Sequence, residues 1–170
     1  MNFYSQLAYN TIKQYLTDGT LPDTHDLPSE MLNTRAGCFV SLHNKKDNSL
    51  RGCIGTIYPS HKNITGEIIA NAIEASTHDP RFSPVNKDEI DNLKISVDIL
   101  SEPEPINSET LLNPKKFGVI VSSDGRTGLL LPDIEGVDTI KDQISIAKEK
   151  AGIIDNHEIQ LYRFTVKRYE

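Results

Sequence analysis

The spacing of apolar positions changes several times along the chain, and each change marks an element. Phe3, Tyr4, Leu7, Ala8, Ile12, Tyr15 and Leu16 recur at helical spacing, with Gly19 as terminator. Asp18 to Ser29 holds Pro22 and Pro28 among polar residues and reads as a loop. From Arg35 the period shortens. Gly37 to Leu42 and Ser49 to Ile57 read as two strands of a hairpin around the polar turn His43–Asn48. Ile64, Ile68, Ile69, Ala72 and Ile73 form the apolar stripe of a helix from about Thr65 to Ser76, leaving Glu67, Asn71 and Glu74 on other faces. Pro80 ends it, because proline cannot continue a helix and disfavours helical geometry at Asp79. Leu93 to Leu100 alternates as a half-buried strand.

The second half repeats this order. Ser101–Pro105 is an extended linker. Phe117 to Val121 and Gly128 to Leu131 form a hairpin whose turn contains Asp124-Gly125, a pair that tolerates positive φ. Thr139 caps a helix running to about Ala151, lined by Ile140, Ile144, Ala147 and Ala151 and closed by Gly152; Ile159 to Val166 is the last strand. Hairpin, loop, helix, strand therefore occurs twice, over 37–100 and 117–166. The expected fold is α+β: a single domain over 1–170, with about six mostly antiparallel strands in a curved sheet flanked by helices.

Composition narrows the function. The 170 residues carry a net charge of −6, and no basic face is evident, which argues against direct nucleic-acid binding. No apolar run approaches the roughly 20 residues that span a bilayer. The segment Met1–Gln6 lacks the basic-then-apolar pattern of a signal peptide, and two cysteines with an acidic balance suit a reducing cytoplasm. There is no CxxC or HxxxH spacing for zinc, and no GxGxxG, P-loop or CxxxCxxC; neither metal nor cofactor is expected.

Candidate chemistry gathers on Leu50–Ile57, a strand interrupted by Gly52 and Gly55. Glycine within a strand marks a bulge or a close backbone approach. Cys53 is either a nucleophile activated by a nearby cation or a small buried hydrophobe. Arg51 is either an anion clamp or the ion-pair partner of Glu67 or Asp79. His78, Asp79 and Arg81 are sufficient for acid–base work, and equally describe a helix-ending turn pinned by a salt bridge. Glu67 is an ion-pair partner or a third acid–base candidate. A Cys53–His78 dyad is the sharpest enzymatic reading. Cys38 and Cys53 would come almost opposite one another if the turn centres near Lys45 and Lys46, which leaves a disulfide open. His25, His43, His61 and His157 fall in loops and are expected to be solvated.

Leu50-Arg51-Gly52-Cys53-Ile54-Gly55 resembles the six-residue signature of the AMMECR domain family. Asp79–Pro84 is similar to that family's D-x-R-F-x-P segment, Leu93–Ile106 to its strand ending in PEPI, Gly128–Pro132 to GLLLP and Lys150–Ile153 to KAGL. The likeness spans roughly Gln6 to Glu170. Ala147 stands where relatives often place a cysteine, and the tryptophan common after KAGL is absent. The resemblance implies an α+β fold of two unequal lobes with the RGCIG motif near the cleft between them. It also implies Memo-like and radical SAM proteins as partners, and carries no assigned catalytic activity. Two functions follow as expectations. One is an accessory domain binding through Arg51, Gly52, Ile54, Gly55, Glu67, Asp79, Arg81 and Phe82. The other is an enzyme acting on a small molecule or modified residue through Cys53 and His78.

Overall fold

The computed structural model describes residues 2–154 and 158–170. The chain divides into two units: one runs through Ile99 and takes back Lys167–Glu170, and the other holds Leu100–Val166.

In the first unit, α1 (Phe3–Asp18) starts at a capping box. The Asn2 side chain accepts the Tyr4 N–H, and the Ser5 hydroxyl accepts the Asn2 N–H. Gly19, at φ 75°, closes it. A short α2 (Ser29–Asn33), which apolar spacing does not predict, sets Met31 into the core. The hairpin consists of β1 (Cys38–Asn44) and β2 (Leu50–Thr56); α3 (Ile64–Thr77) follows, and β3 (Leu93–Leu100) returns. With β8 (Val166–Tyr169) they form a sheet in the order β2-β1-β3-β8, β1 antiparallel to both neighbours. Helices α1 and α3 bury Ile12, Ile64 and Ile68 with Val40, Leu42 and Val97 of the sheet. Glu67 and Asn71 do not face outward as their spacing suggested. Both are buried on α3 because the hairpin and the loop after it supply hydrogen-bond partners, while Ile69 and Ile73 are only half-buried.

The second unit holds β4 (Glu104–Ile106), β5 (Gly118–Ser123), β6 (Arg126–Leu130), α4 (Ile140–Ala151) and β7 (Gln160–Phe164), with its sheet in the order β4-β7-β5-β6. Asp124 and Gly125, at φ 48° and 77°, make the tight β5–β6 turn. The Thr139 hydroxyl accepts the Asp142 N–H at the start of α4, and Gly152 ends it at φ 65°.

The repeated motif is present in both units: a hairpin whose first strand lies between its own partner and the returning strand. Two features differ from expectation. Among the described residues there are eight strands in two sheets, not about six in one, because β4 begins within the expected linker. The single strand expected over Ile159–Val166 also stops at Phe164, and the chain then joins the other sheet. Alternating side chains do not reveal a change of sheet. His157 lies outside the described residues.

Candidate functional site

β2 is an edge strand, and each glycine in it has a steric reason. A Cβ on Gly52 would overlap the carbonyl oxygen of Ala75, so α3 lies directly on the strand there. A Cβ on Gly55 would overlap the ring of Phe39 on the other face. Arg51 is the extra residue of a bulge: Leu42 pairs with Gly52, but His43 pairs with Leu50. The bulge aims its guanidinium at Glu89 (3.2 and 3.1 Å), with further bonds to the carbonyls of Ser83 (2.9 Å) and Pro84 (3.4 Å). Arg51 therefore pairs with Glu89, not with Glu67 or Asp79. That carboxylate sits on the 3-10 turn Lys87–Asn92, opened by a capping box between Asn86 and Glu89. The Asn-x-x-Glu spacing was a legible signal for it.

The turn after α3 supplies what the sheet lacks at its edge. Cys53 directs its backbone groups away from β1. Its N–H donates to Asp79 Oδ2 at 2.8 Å, and its carbonyl accepts from Arg81 Nη2 at 3.2 Å. Arg81 grips the Asp79 carboxylate through Nε (3.0 Å) and Nη2 (2.8 Å), and the Arg81 N–H donates to Oδ1 at 3.1 Å. Two side chains thus stand in for one residue of a neighbouring strand. The Arg81 guanidinium holds the Asp79 carboxyl well below the usual carboxylate range, outweighing the burial that opposes ionisation. Phe82 lies under the Arg81 guanidinium, 5.4 Å from ring centroid to Cζ. Ile54 packs against the first unit's core.

The Cys53 thiol is free and half-buried on β2. Cys53 Sγ accepts from the Ser41 hydroxyl at 3.2 Å, and burial pushes its pKa up despite that bond and the charge of Arg81. His78 caps α3, exposed, with Nδ1 2.8 Å from Thr77 Oγ1 and 3.3 Å from Glu74. Among the described residues no hydrogen bond links His78 to Cys53. Cys38 and Cys53 are both free thiols. In register, Cys38 faces Thr56 and Cys53 faces Ser41, and the odd offset puts the two thiols on opposite faces of the hairpin. Burial raises the Cys38 thiol to about 12.

Glu67 is wholly buried and serves as a clamp. Its carboxylate accepts from the hydroxyl of Thr56, the N–H and hydroxyl of Ser60 (3.0 and 3.2 Å) and the N–H of His61 (2.8 Å), with His61 Nδ1 at 3.1 Å. Burial opposes its ionisation, yet the bonds from Thr56 and His61 prevail and its pKa is lowered. His61 is thus a partner of a buried carboxylate, not only a solvated loop residue. His43 is half-buried on β1, with its pKa lowered chiefly by burial. Among the described residues, no group of three His, Cys, Asp or Glu side chains is set to hold a metal ion, and no helix is long and apolar enough to cross a membrane.

Comparison with known proteins supplies the family. A Thermotoga maritima protein is 52% identical over 170 residues, covering 98% of this chain and 97% of that protein. A Clostridium acetobutylicum protein is 47% identical over 171 residues; there the match takes 98% of this chain but only 36% of the relative. Among solved structures, the crystal structure of an uncharacterized protein from Pyrococcus horikoshii superposes at a TM-score of 0.85 with 31% identity, covering 98% of this chain and 88% of that one. The AMMECR1 family model matches residues 5–169, and the chain belongs to that family.

Proposed function

We propose that this chain is a noncatalytic accessory domain of the cytoplasm, binding Memo-like and radical SAM proteins through the Arg51–Gly55 ribbon and the Asp79–Phe82 turn. One observation carries that preference: the groups an enzyme would use are already held by the fold. Asp79 is taken by Arg81 and the Cys53 N–H, and Arg51 by Glu89, Ser83 and Pro84. Activated thiols have a base in contact or a lowered pKa. Cys53 has a raised one. The partner classes rest on the family resemblance, and the two free thiols agree with a reducing compartment.

The alternative is an enzyme with Cys53 as nucleophile, His78 as acid–base group and Arg51 as anion clamp. It would require His78, whose Nδ1 lies at Thr77 and Glu74, to reach the thiol. Binding of purified Memo-like and radical SAM proteins to the full chain tests the proposal. Phe82→Ala, which breaks no buried ion pair, is expected to weaken binding by about tenfold or more if Phe82 anchors the face. Failure of both partners to bind the unsubstituted chain, or binding that ignores Phe82→Ala, overturns it.

A further inference from the structure

We infer that the outer edge of β2 at Gly55 captures the C-terminal carboxylate of an extended partner segment. The inference rests on reading the ribbon as a docking face and names the chemistry of what docks.

Along an antiparallel strand, alternate residues direct N–H and C=O to opposite sides. Cys53 directs both away from β1, to Asp79 and Arg81, so Gly55 does the same two residues on. Among the described residues, neither the N–H nor the C=O of Gly55 has a hydrogen-bond partner. Proteins guard exposed edges with bulges, charges or proline. On β2 the Arg51 bulge and the Asp79–Arg81 pair guard the strand as far as Cys53, and the guarding stops one pairing position short of Gly55.

What flanks that position selects the occupant. On the Cys53 side, Arg81 binds Asp79 and the Cys53 carbonyl through Nε and Nη2. Its Nη1 has no partner among the described residues, and its side chain is 55% exposed. The Gly55 N–H lies toward this cation, while its C=O lies toward Thr56. A segment running antiparallel to β2 would donate its last N–H to the Gly55 carbonyl. Its carboxylate would then accept the Gly55 N–H and lie against Arg81 Nη1. A chain continuing past that point would run into the Asp79 and Arg81 side chains at Cys53. A chain that ends there avoids them, and its terminal charge meets the guanidinium. Gly55 carries no Cβ because the Phe39 ring and the Cys38 carbonyl fill that space, so its outer edge presents backbone alone.

The test selects a ligand and then removes its charge. Random decapeptides displayed with free C-termini are selected on the full chain, and a recovered peptide is remade as the free acid and as the C-terminal amide. Affinities are read by fluorescence anisotropy and the site is mapped by amide chemical shifts. The amide is expected to bind about tenfold or more weakly, as for loss of a charged hydrogen bond, with the largest acid-induced shift at the Gly55 N–H. Arg81→Gln should bring the acid down to the affinity of the amide. Because that change also strips Asp79 of its cation, the double variant Arg81→Gln with Asp79→Asn repeats the measurement without an unpaired buried carboxylate. Equal binding of acid and amide, shifts centred away from Gly55, or selection of no peptide overturns the inference. If it fails while Phe82→Ala still weakens the partner proteins, the docking reading survives alone; if Phe82→Ala is also silent, both fall.

Discussion

In the first unit, Gly52 of β2 pairs with Leu42 of β1, which pairs with Ile95 of β3. In the second, Gly128 of β6 pairs with Val121 of β5, which pairs with Leu161 of β7. Both glycines lie under a helix so close that a Cβ would overlap an alanine carbonyl oxygen, Ala75 in α3 and Ala147 in α4. Four residues before each alanine is a buried amide side chain that donates to the residue entering the hairpin. Asn71 reaches the Cys38 carbonyl at 3.2 Å, and Gln143 reaches the Phe117 carbonyl at 2.7 Å. These matched contacts are the frame of the motif. One position along, the units diverge: Cys53 corresponds to Leu129, Ser41 to Ile120, and the helix-end Asp79 to Ala151. The second unit has apolar side chains at those positions and, among the described residues, sends no side chain to the Leu129 backbone. The first places hydroxyl, thiol, carboxylate and guanidinium there. What the units share is what the fold needs; what only the first carries is where a function specific to this family should be sought.

The shared frame is the first thing to break. Gly52→Val and Gly128→Val should each cost about 3 kcal/mol, because the added atoms meet backbone and not a flexible side chain. That corresponds to a fall of roughly 6–12 °C in Tm, read by circular dichroism. If either variant melts with the unsubstituted chain, the close helix approach in that unit is wrong.

Asp79→Asn comes next. Removing one partner of a buried ion pair costs 3–5 kcal/mol, and the half-exposed Arg81 reduces this to about 2 kcal/mol. The pH dependence has a definite sign. A depressed carboxyl pKa stabilises the fold fully above about pH 4, the ordinary Asp value, and that contribution is lost as pH falls toward the folded-state pKa. The stability gap between the two proteins should therefore be constant above pH 4 and narrow below it. A gap that instead widens on acidification would contradict the Asp79–Arg81 assignment.

The smallest contrast sharpens the match between the helices. Asn71→Ala leaves the Cys38 carbonyl and the Thr56 hydroxyl without this donor and should cost about 2 kcal/mol. Gln143→Leu should stay within about 1 kcal/mol, since it also removes Oε1, a buried acceptor with no partner among the described residues. Equal losses in urea unfolding would show that the orphaned oxygen has no energetic weight.

Much of this frame was legible before the structure. Gly19, Thr139 and Gly152 mark helix ends, and Asp124-Gly125 marks a turn, because each signal is local. The repeat was legible for the same reason. The switch at Thr165 was not: Ile159–Val166 reads as one strand, and only tertiary pairing splits it between sheets. In the site, Arg51 was legible beside the β2 glycines and Asp79 and Arg81 as a helix-ending turn, but the partner of Arg51 was open, since Glu89 lies 38 residues away. Glu67 and Asn71 fell outside the buried stripe because a helical stripe counts only apolar residues. Their burial depends on a hairpin and loop that spacing on α3 cannot report.

We propose the Cys53 ribbon as framework and docking edge, not as a nucleophile site, and thiol reactivity distinguishes the two. Cys38 is buried, its thiol raised to about 12, so alkylation of the native chain reports Cys53. The rate should titrate above the value of about 8.5 for a free thiol and should not change with His78→Ala. A rate that titrates below about 7.5 and shifts when His78 is lost would establish an activated thiol, and the enzymatic reading would replace this one.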